Sequence, residues 1–141
     1  MGLNALEAWT PRVLALLRIV TALLYLEHGL MKLFGFPVAM GAGGGHLPPL
    51  LLVAGCLETI GPVLLILGLF TRPVAFLLSG EMAVAYFKAH APHSFYPVLN
   101  SGEPAVLYCF IFLFLVFAGP GAFSIDARMR RTSHGAANPP A

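Results

Sequence analysis

A group of ionisable side chains interrupts an apolar segment near the start of the chain. The segment RIVTALLYLEHGLMKLFG, residues 18–35, contains Arg18, Glu27, His28 and Lys32. A charge at the centre of a bilayer costs at least about 2.5–3.5 kcal/mol on insertion scales, so such residues normally face the interior of a helix bundle. Carboxyl, imidazole and ammonium groups in that setting can transfer protons, pair with ions or hold a polar ligand.

Glu58 is the most unusual ionisable residue in the rest of the chain. It lies within the apolar stretch 49–70, and Pro62 has no N–H group to donate to the Glu58 carbonyl. This spacing predicts a kink and a free backbone acceptor beside the carboxyl group. Two interpretations stay open: the carboxyl group takes part in a proton relay, or it pairs with a cation.

Helical periodicity and depth select the side chains that can share one pocket. Positions i, i+4 and i+7 lie on one helix face, and each residue advances a helix by about 1.5 Å. We predict a pocket in the outer half of the membrane, in which proton transfer or hydrogen bonding is assigned to Glu58, His28 and His90. The predicted ligand-pocket residues are Lys32, Glu103 and Tyr25. The other ionisable residues are predicted to belong to a second network, to a subunit contact or to the rim of the pocket; they are Glu27, Glu81 and Lys88.

The same residues also have structural interpretations. Long charged side chains near helix ends can extend to the membrane interface, and buried histidines can be ordinary hydrogen-bonded core residues. Arg18 can extend inward or pair with Asp126, and Glu58 can belong to an ion pair that only fixes the packing. We assign a structural role to Arg18, Arg72, Asp126, Gly61, Pro62, Gly119 and Gly121.

Other chemistries are disfavoured. His28 and His90 could ligate a haem only if both faced one site, and the set His90, His93, Glu58 and Glu103 has no HExxH or ExxH spacing, so we predict no metal site. Cys56 and Cys109 form no CxxC pair, and we expect two small residues in helix interfaces. Nucleotide-binding motifs are absent, and nucleic acid is not an expected partner.

The composition indicates a protein dissolved in lipid. The chain has 141 residues, of which 58% are hydrophobic and 10% charged, whereas soluble domains are about 25% charged. Four apolar stretches predict an all-α integral membrane four-helix bundle with up-down-up-down topology. The predicted helices span about 13–35, 49–70, 73–90 and 104–119 within a domain of residues 1–126. Residues 127–141 are expected to form a disordered cytoplasmic tail, although Ser124 can cap a short basic surface helix.

The basic residues outside these helices predict the orientation. Arg12, Arg72 and the arginines at 128, 130 and 131 fall in three regions that four spans place on one side. By the positive-inside rule that side is the cytoplasm, so both termini of this multi-pass protein are expected to be cytoplasmic. The connections 36–48 and 91–103 then face outward.

The order of these motifs resembles that of the DoxX family of small four-helix bacterial membrane proteins. The resemblance extends from about residue 18 to residue 126. It is carried by Arg18 with HGLMK, by ETIGPVLLILGLFTRP, by His90, by NSGEPA and by GPGAFSID. It implies an inner-membrane subunit or membrane partner of a quinone-linked oxidoreductase, such as thiosulfate:quinone oxidoreductase, or of an oxidative-stress redox complex.

The resemblance leaves the chemistry of the chain itself open, including whether it is an enzyme. Because there is no paired dithiol, we expect a quinone or a partner protein to carry electrons. The expected partners are the lipid membrane, a protein of a redox complex and, as an option, further copies of the chain. Two alternatives remain: a small transporter or ion-conducting protein, and a non-catalytic membrane scaffold.

Overall fold

The computed structural model describes residues 3–40 and 47–137, and side-chain surroundings within 5–40 and 47–132. Those ranges contain helices and no strands, which confirms the all-α prediction. The helices are α1 (Leu3–Leu33), α2 (Pro49–Leu67), α3 (Thr71–Ala85), α4 (Pro97–Asn100), α5 (Glu103–Ala118) and α6 (Ile125–Ala137). A π-helix, Tyr86–His90, continues α3 without a break.

Two helices are long and apolar enough to cross a membrane, Ala5–Leu33 and Pro49–Leu67. The helix Glu103–Ala118 is equally apolar but shorter. Most large exposed side chains on these helices are apolar, as at Leu16, Leu52 and Phe110, whereas Arg18 and Glu58 are buried. Polar groups inside and apolar groups outside are the distribution expected when the surrounding solvent is lipid.

The ends of the helices differ from the predicted ones in three places. Helix α1 begins ten residues before the predicted start at residue 13, and α2 ends at Leu67 because Gly68 adopts a left-handed conformation with φ of 65°. The segment 91–102 contains the short helix α4, which the sequence pattern did not predict.

The predicted disordered tail needs a correction. Helix α6 continues to Ala137, so residues 127–137 are helical, while 138–141 lie outside the described residues. The Ser124 side chain caps this helix by accepting a hydrogen bond from the Ala127 N–H over 3.2 Å, as expected from the sequence.

The helices pack as two pairs. Helix α1 packs against α2, and α3 against α5, while a smaller contact between α2 and α3 joins the pairs. Glycines bring the axes close together: a Cβ at Gly61 would lie 2.9 Å from a Leu78 methyl group, and one at Gly55 would lie 2.8 Å from a Leu33 methyl group. The core between the pairs includes Tyr25 and Phe112, both almost fully buried.

Candidate functional site

A buried ion pair joins α1 to α2. The Lys32 ammonium donates a hydrogen bond to Oε2 of Glu58. The two side chains are only 9% and 4% exposed. The pair forms because α1 and α2 approach closely at Gly29 and Gly55, which bring the last turn of α1 against the middle of α2. The carboxyl group of Glu58 therefore faces an ammonium group in the interior of the protein and not the surrounding lipid.

A second buried carboxyl group belongs to Glu81 on α3. The Tyr25 hydroxyl donates to its Oε2 over 3.1 Å, and this contact crosses from one helix pair to the other. Its other oxygen, Oε1, is buried without a hydrogen-bond partner among the described residues. Glu58 and Lys32 are both close enough to Glu81 to interact with it electrostatically.

Aromatic rings form the adjoining wall. The Tyr25 ring lies 5.0 Å from the rings of both Tyr108 and Phe112 on α5, centroid to centroid. The His28 imidazole lies 6.1 Å from the Tyr25 ring and 6.0 Å from that of Tyr108. We call the set Tyr25, His28, Lys32, Glu58, Glu81 and Tyr108 the polar cluster. It combines acids, a base, hydroxyl donors and flat apolar faces in one buried place.

Two residues predicted for this pocket lie elsewhere. The π-helix turns His90 toward the short helix α4, where its Nδ1 pairs with the Asn100 carbonyl over 2.9 Å and its ring stacks on Tyr86. Glu103 is exposed at the start of α5. Glu27 and Lys88 are exposed as well. The predicted pocket is therefore corrected: among the described residues, neither His90 nor Glu103 contacts Glu58.

Sequence reasoning missed two members of the polar cluster. Glu81 had a usable signal, since it is a charge in the middle of an apolar helix. From the sequence, Glu81 was left with Glu27 and Lys88 to a second network, a subunit contact or the rim of the pocket. Tyr108 had no such signal, because a tyrosine in an aromatic-rich helix is an ordinary core residue.

The opposite end of the bundle is held by Arg18, which is fully buried. Its Nε donates to the Pro120 carbonyl over 2.8 Å. Its Nη1 donates to the carbonyls of Leu65 and Ile66, and its Nη2 to those of Ala122 and Phe123. The guanidinium thus ties α1 to the end of α2 and to the segment after α5. The expected direct pairing with Asp126 is replaced by these backbone carbonyls.

Asp126 connects the two turns at that end. Its carboxylate accepts hydrogen bonds of 2.9 Å from the N–H groups of Phe70 and Thr71, and its own N–H donates to Gly68. Partial burial works against its ionisation, but the two amide hydrogen bonds and the nearby Arg130 outweigh this and lower the pKa of Asp126.

Three further residues with predicted structural roles lie close to the same turns. The Arg72 guanidinium donates to the Val116 carbonyl over 2.6 Å. Gly119 and Gly121 adopt positive φ angles of 83° and 69°, which turn the chain from α5 toward α6. The carbonyl of Pro11 accepts from the Ala122 N–H over 2.8 Å, so residues before Pro11 project beyond this end of the bundle.

The cysteines and acidic groups define no further centre. Cys56 is exposed on α2, and Cys109 lies on α5, where its carbonyl accepts from the Ser79 hydroxyl over 2.9 Å; both thiols are free. Within the ranges that the structure describes, no group of three or more His, Cys, Asp or Glu side chains could hold a metal ion.

Comparison with known proteins places the chain among membrane proteins. A family model described as DoxX matches residues 13–91. An uncharacterized protein from Haemophilus influenzae (strain ATCC 51907 / DSM 11121 / KW20 / Rd) is 49% identical over 128 residues, covering 88% of this chain and 96% of that protein. The inner membrane protein YphA from Escherichia coli (strain K12) is 30% identical over 127 residues, covering 84% and 91%. No solved structure matches the chain.

Proposed function

Because this chain belongs to the DoxX family of membrane proteins, we propose that it is the membrane partner of a quinone-linked redox system, with the polar cluster as its ligand site. One observation carries the proposal: the buried ion pair of Lys32 and Glu58 is connected through Glu81 and Tyr25 to a wall of aromatic rings. A buried pair contributes little net stability compared with apolar packing. Its presence in the interior of a small membrane-spanning bundle therefore points to ligand binding.

The polar cluster suits a flat ligand with carbonyl oxygens. A quinone has two such acceptors. The Lys32 ammonium has further hydrogens besides the one that it donates to Glu58, and the Tyr25 hydroxyl would donate its single hydrogen to the ligand in place of Glu81. The unpartnered Oε1 of Glu81 can receive a hydroxyl donor. A quinone supplies two-electron chemistry coupled to two protons, which the chain itself lacks without a dithiol. The side chains of the cluster would position the ring and supply or accept protons.

The proposed orientation has four spans, with both termini in the cytoplasm. Helices α1 and α2 are long and apolar enough to cross a membrane, α5 is apolar but shorter, and α3 packs against α5. Arg72, Arg128 and Arg131 are exposed at the end where Arg18 is buried. By the positive-inside rule that end is cytoplasmic, and the polar cluster then lies in the outer half of the membrane.

The test is ligand retention by the purified protein. The chain is purified in a mild detergent, and the extracted lipids are analysed by absorption spectroscopy and mass spectrometry. We expect quinone to co-purify with the wild type and to be lost in Lys32→Met and Tyr25→Phe. Lys88→Met removes an exposed lysine from the same side and should retain the ligand. Equal quinone content in all four proteins, or none in the wild type, contradicts the proposal.

A second candidate is a small ion- or proton-coupled transporter, and the Tyr25 to Glu81 contact favours it. This polar contact crosses the seam between the two helix pairs, which is where alternating access would move one pair against the other. Proteoliposome flux that is lost in Glu58→Gln would support this candidate. Variants that keep every partner and every activity would instead indicate a scaffold whose buried charges only fix helix packing.

A further inference from the structure

The half-buried Glu81 has an incomplete set of hydrogen bonds. Its Oε2 accepts from Tyr25, whereas Oε1 is buried with no donor among the described residues. An ionised carboxylate normally uses both oxygens as acceptors, and a buried one without a partner costs free energy. The surroundings of Oε1 therefore do not stabilise a full negative charge on this carboxyl group.

The charges facing Glu81 come from two helices. Helix α1 presents Lys32 and the Tyr25 hydroxyl, and α2 presents Glu58. Helix α5 presents no charged side chain at this depth, since its one charged residue, Glu103, is exposed at its first turn. On the helix of Glu81 itself, Lys88 is exposed two turns away.

The positive charge of Lys32, the single ammonium group of the polar cluster, is already balanced by Glu58. Lys32 donates to Glu58, so that pair is neutral by itself. Glu81 is then the second carboxyl group beside one cation, and an ionised Glu81 would leave a net negative charge inside the bundle. A proton on Oε1 removes that charge and leaves the contact between Oε2 and Tyr25 intact.

We propose that Glu81 is a proton-binding site, which holds one proton on Oε1 at neutral pH beside the ion pair of Lys32 and Glu58. The proton comes from water and returns to water, and only the O–H bond of the carboxyl group is made and broken. This inference rests on the proposed function only in giving the proton a use, namely exchange with a ligand held in the polar cluster. The proton site itself needs no ligand.

Infrared spectroscopy of the full-length protein in lipid membranes tests the proposal. A protonated carboxylic acid has a separate C=O stretching band, which shifts slightly when H₂O is replaced by D₂O. We expect this band at neutral pH in the wild type, its loss in Glu81→Gln, and its retention in Glu103→Gln.

A second variant covers the case in which Glu81→Gln does not fold. Tyr25→Phe keeps Glu81 but removes the donor to Oε2, so the band should move to higher frequency without losing intensity. A wild type without the band, a band that survives Glu81→Gln, or a band unmoved by Tyr25→Phe overturns the proposal. Quinone retention is measured separately, so failure of the proton site and failure of the proposed ligand are distinguishable.

Discussion

The backbone of Gly29 on α1 lies directly against the carbonyl group of Glu58 on α2. A Cβ at Gly29 would lie 2.6 Å from the Glu58 carbonyl carbon and 2.7 Å from its oxygen. That carbonyl is the acceptor that Pro62 leaves without a helical donor. The closest approach of the two helices therefore occurs at the residue that carries the buried carboxyl group.

Gly29→Ala should separate α1 from α2 at this point. The clash is with backbone atoms, which cannot rotate away, so we expect a loss of about 1–3 kcal/mol in the free energy of unfolding and a weaker Lys32 to Glu58 pair. The measurement is denaturant or thermal unfolding in detergent. Gly80→Ala is the matched control, because a Cβ at Gly80 meets nothing within 4 Å. It should be neutral or stabilising. Equal losses in both variants would contradict the close approach.

Removing one partner of the buried ion pair should cost more than removing both. Lys32→Met or Glu58→Gln leaves a buried group without its partner, which typically costs about 3–5 kcal/mol. The double variant should recover a large part of that loss, because no charge remains to be buried. A double-mutant cycle of unfolding free energies measures the coupling. Additive losses would show that the two side chains do not interact.

Arg18→Met should be among the most destabilising single substitutions. It leaves buried carbonyls of α2 and of the segment after α5 without their donor, and each unmet buried group costs about 1–3 kcal/mol. We expect a total loss above about 3 kcal/mol, measured as unfolding in detergent. Arg12→Gln is the control: Arg12 is exposed and stacks on Trp9. Its loss should stay within about 0.5 kcal/mol.

Asp126 should make stability depend on acid pH. Its pKa in the folded protein lies below the ordinary value of 3.8. Its contribution is therefore complete above that value and is lost as the pH falls through the lower folded pKa. Asp126→Asn should lower stability near neutral pH and flatten the dependence below pH 3.8. Unfolding at a series of pH values measures this, with Glu103→Gln as the exposed-carboxyl control. An unchanged pH dependence in Asp126→Asn would refute the assigned contacts.

The proposed orientation has a direct test. A reporter that works only in the cytoplasm should be active when fused after residue 137 and inactive when inserted near Pro37. A reporter that works only outside the cytoplasm should give the reverse result. The physical reason is the excess of arginine at the end of the bundle that carries both termini. An external C-terminus would reverse the assigned depths of the polar cluster.

The class of fold and the most important buried charge were predictable from the sequence. Apolar stretches at the start and middle of the chain define α1 and α2, and a lone carboxyl group in α2 has to be buried and paired. The partner of Glu58 was harder to identify, since Lys32 could equally have extended to the membrane surface. Only the glycine contacts that bring α1 onto α2 place Lys32 beside Glu58. Such contacts are a property of tertiary packing.

The outer end of α3 was not predictable in the same way. Helical periodicity assumes 3.6 residues per turn, and the π-helix from Tyr86 to His90 breaks that period without a proline or a glycine to mark it. The rotation moves His90 from the predicted pocket to Asn100. At the other end the arginines and glycines of the turns were recognised, but their carbonyl partners come from distant segments that a linear pattern does not relate.

The bonding of Arg18 bears on how the chain is made. Its guanidinium is synthesised in the first helix, whereas three of its five carbonyl acceptors, those of Pro120, Ala122 and Phe123, emerge last. During translation the Arg18 guanidinium in the bilayer therefore has only the carbonyls at the end of α2 as acceptors. A chain that stops before residue 120 keeps an unsatisfied positive charge among its helices. Membrane proteases can use this charge to distinguish unfinished copies from finished ones.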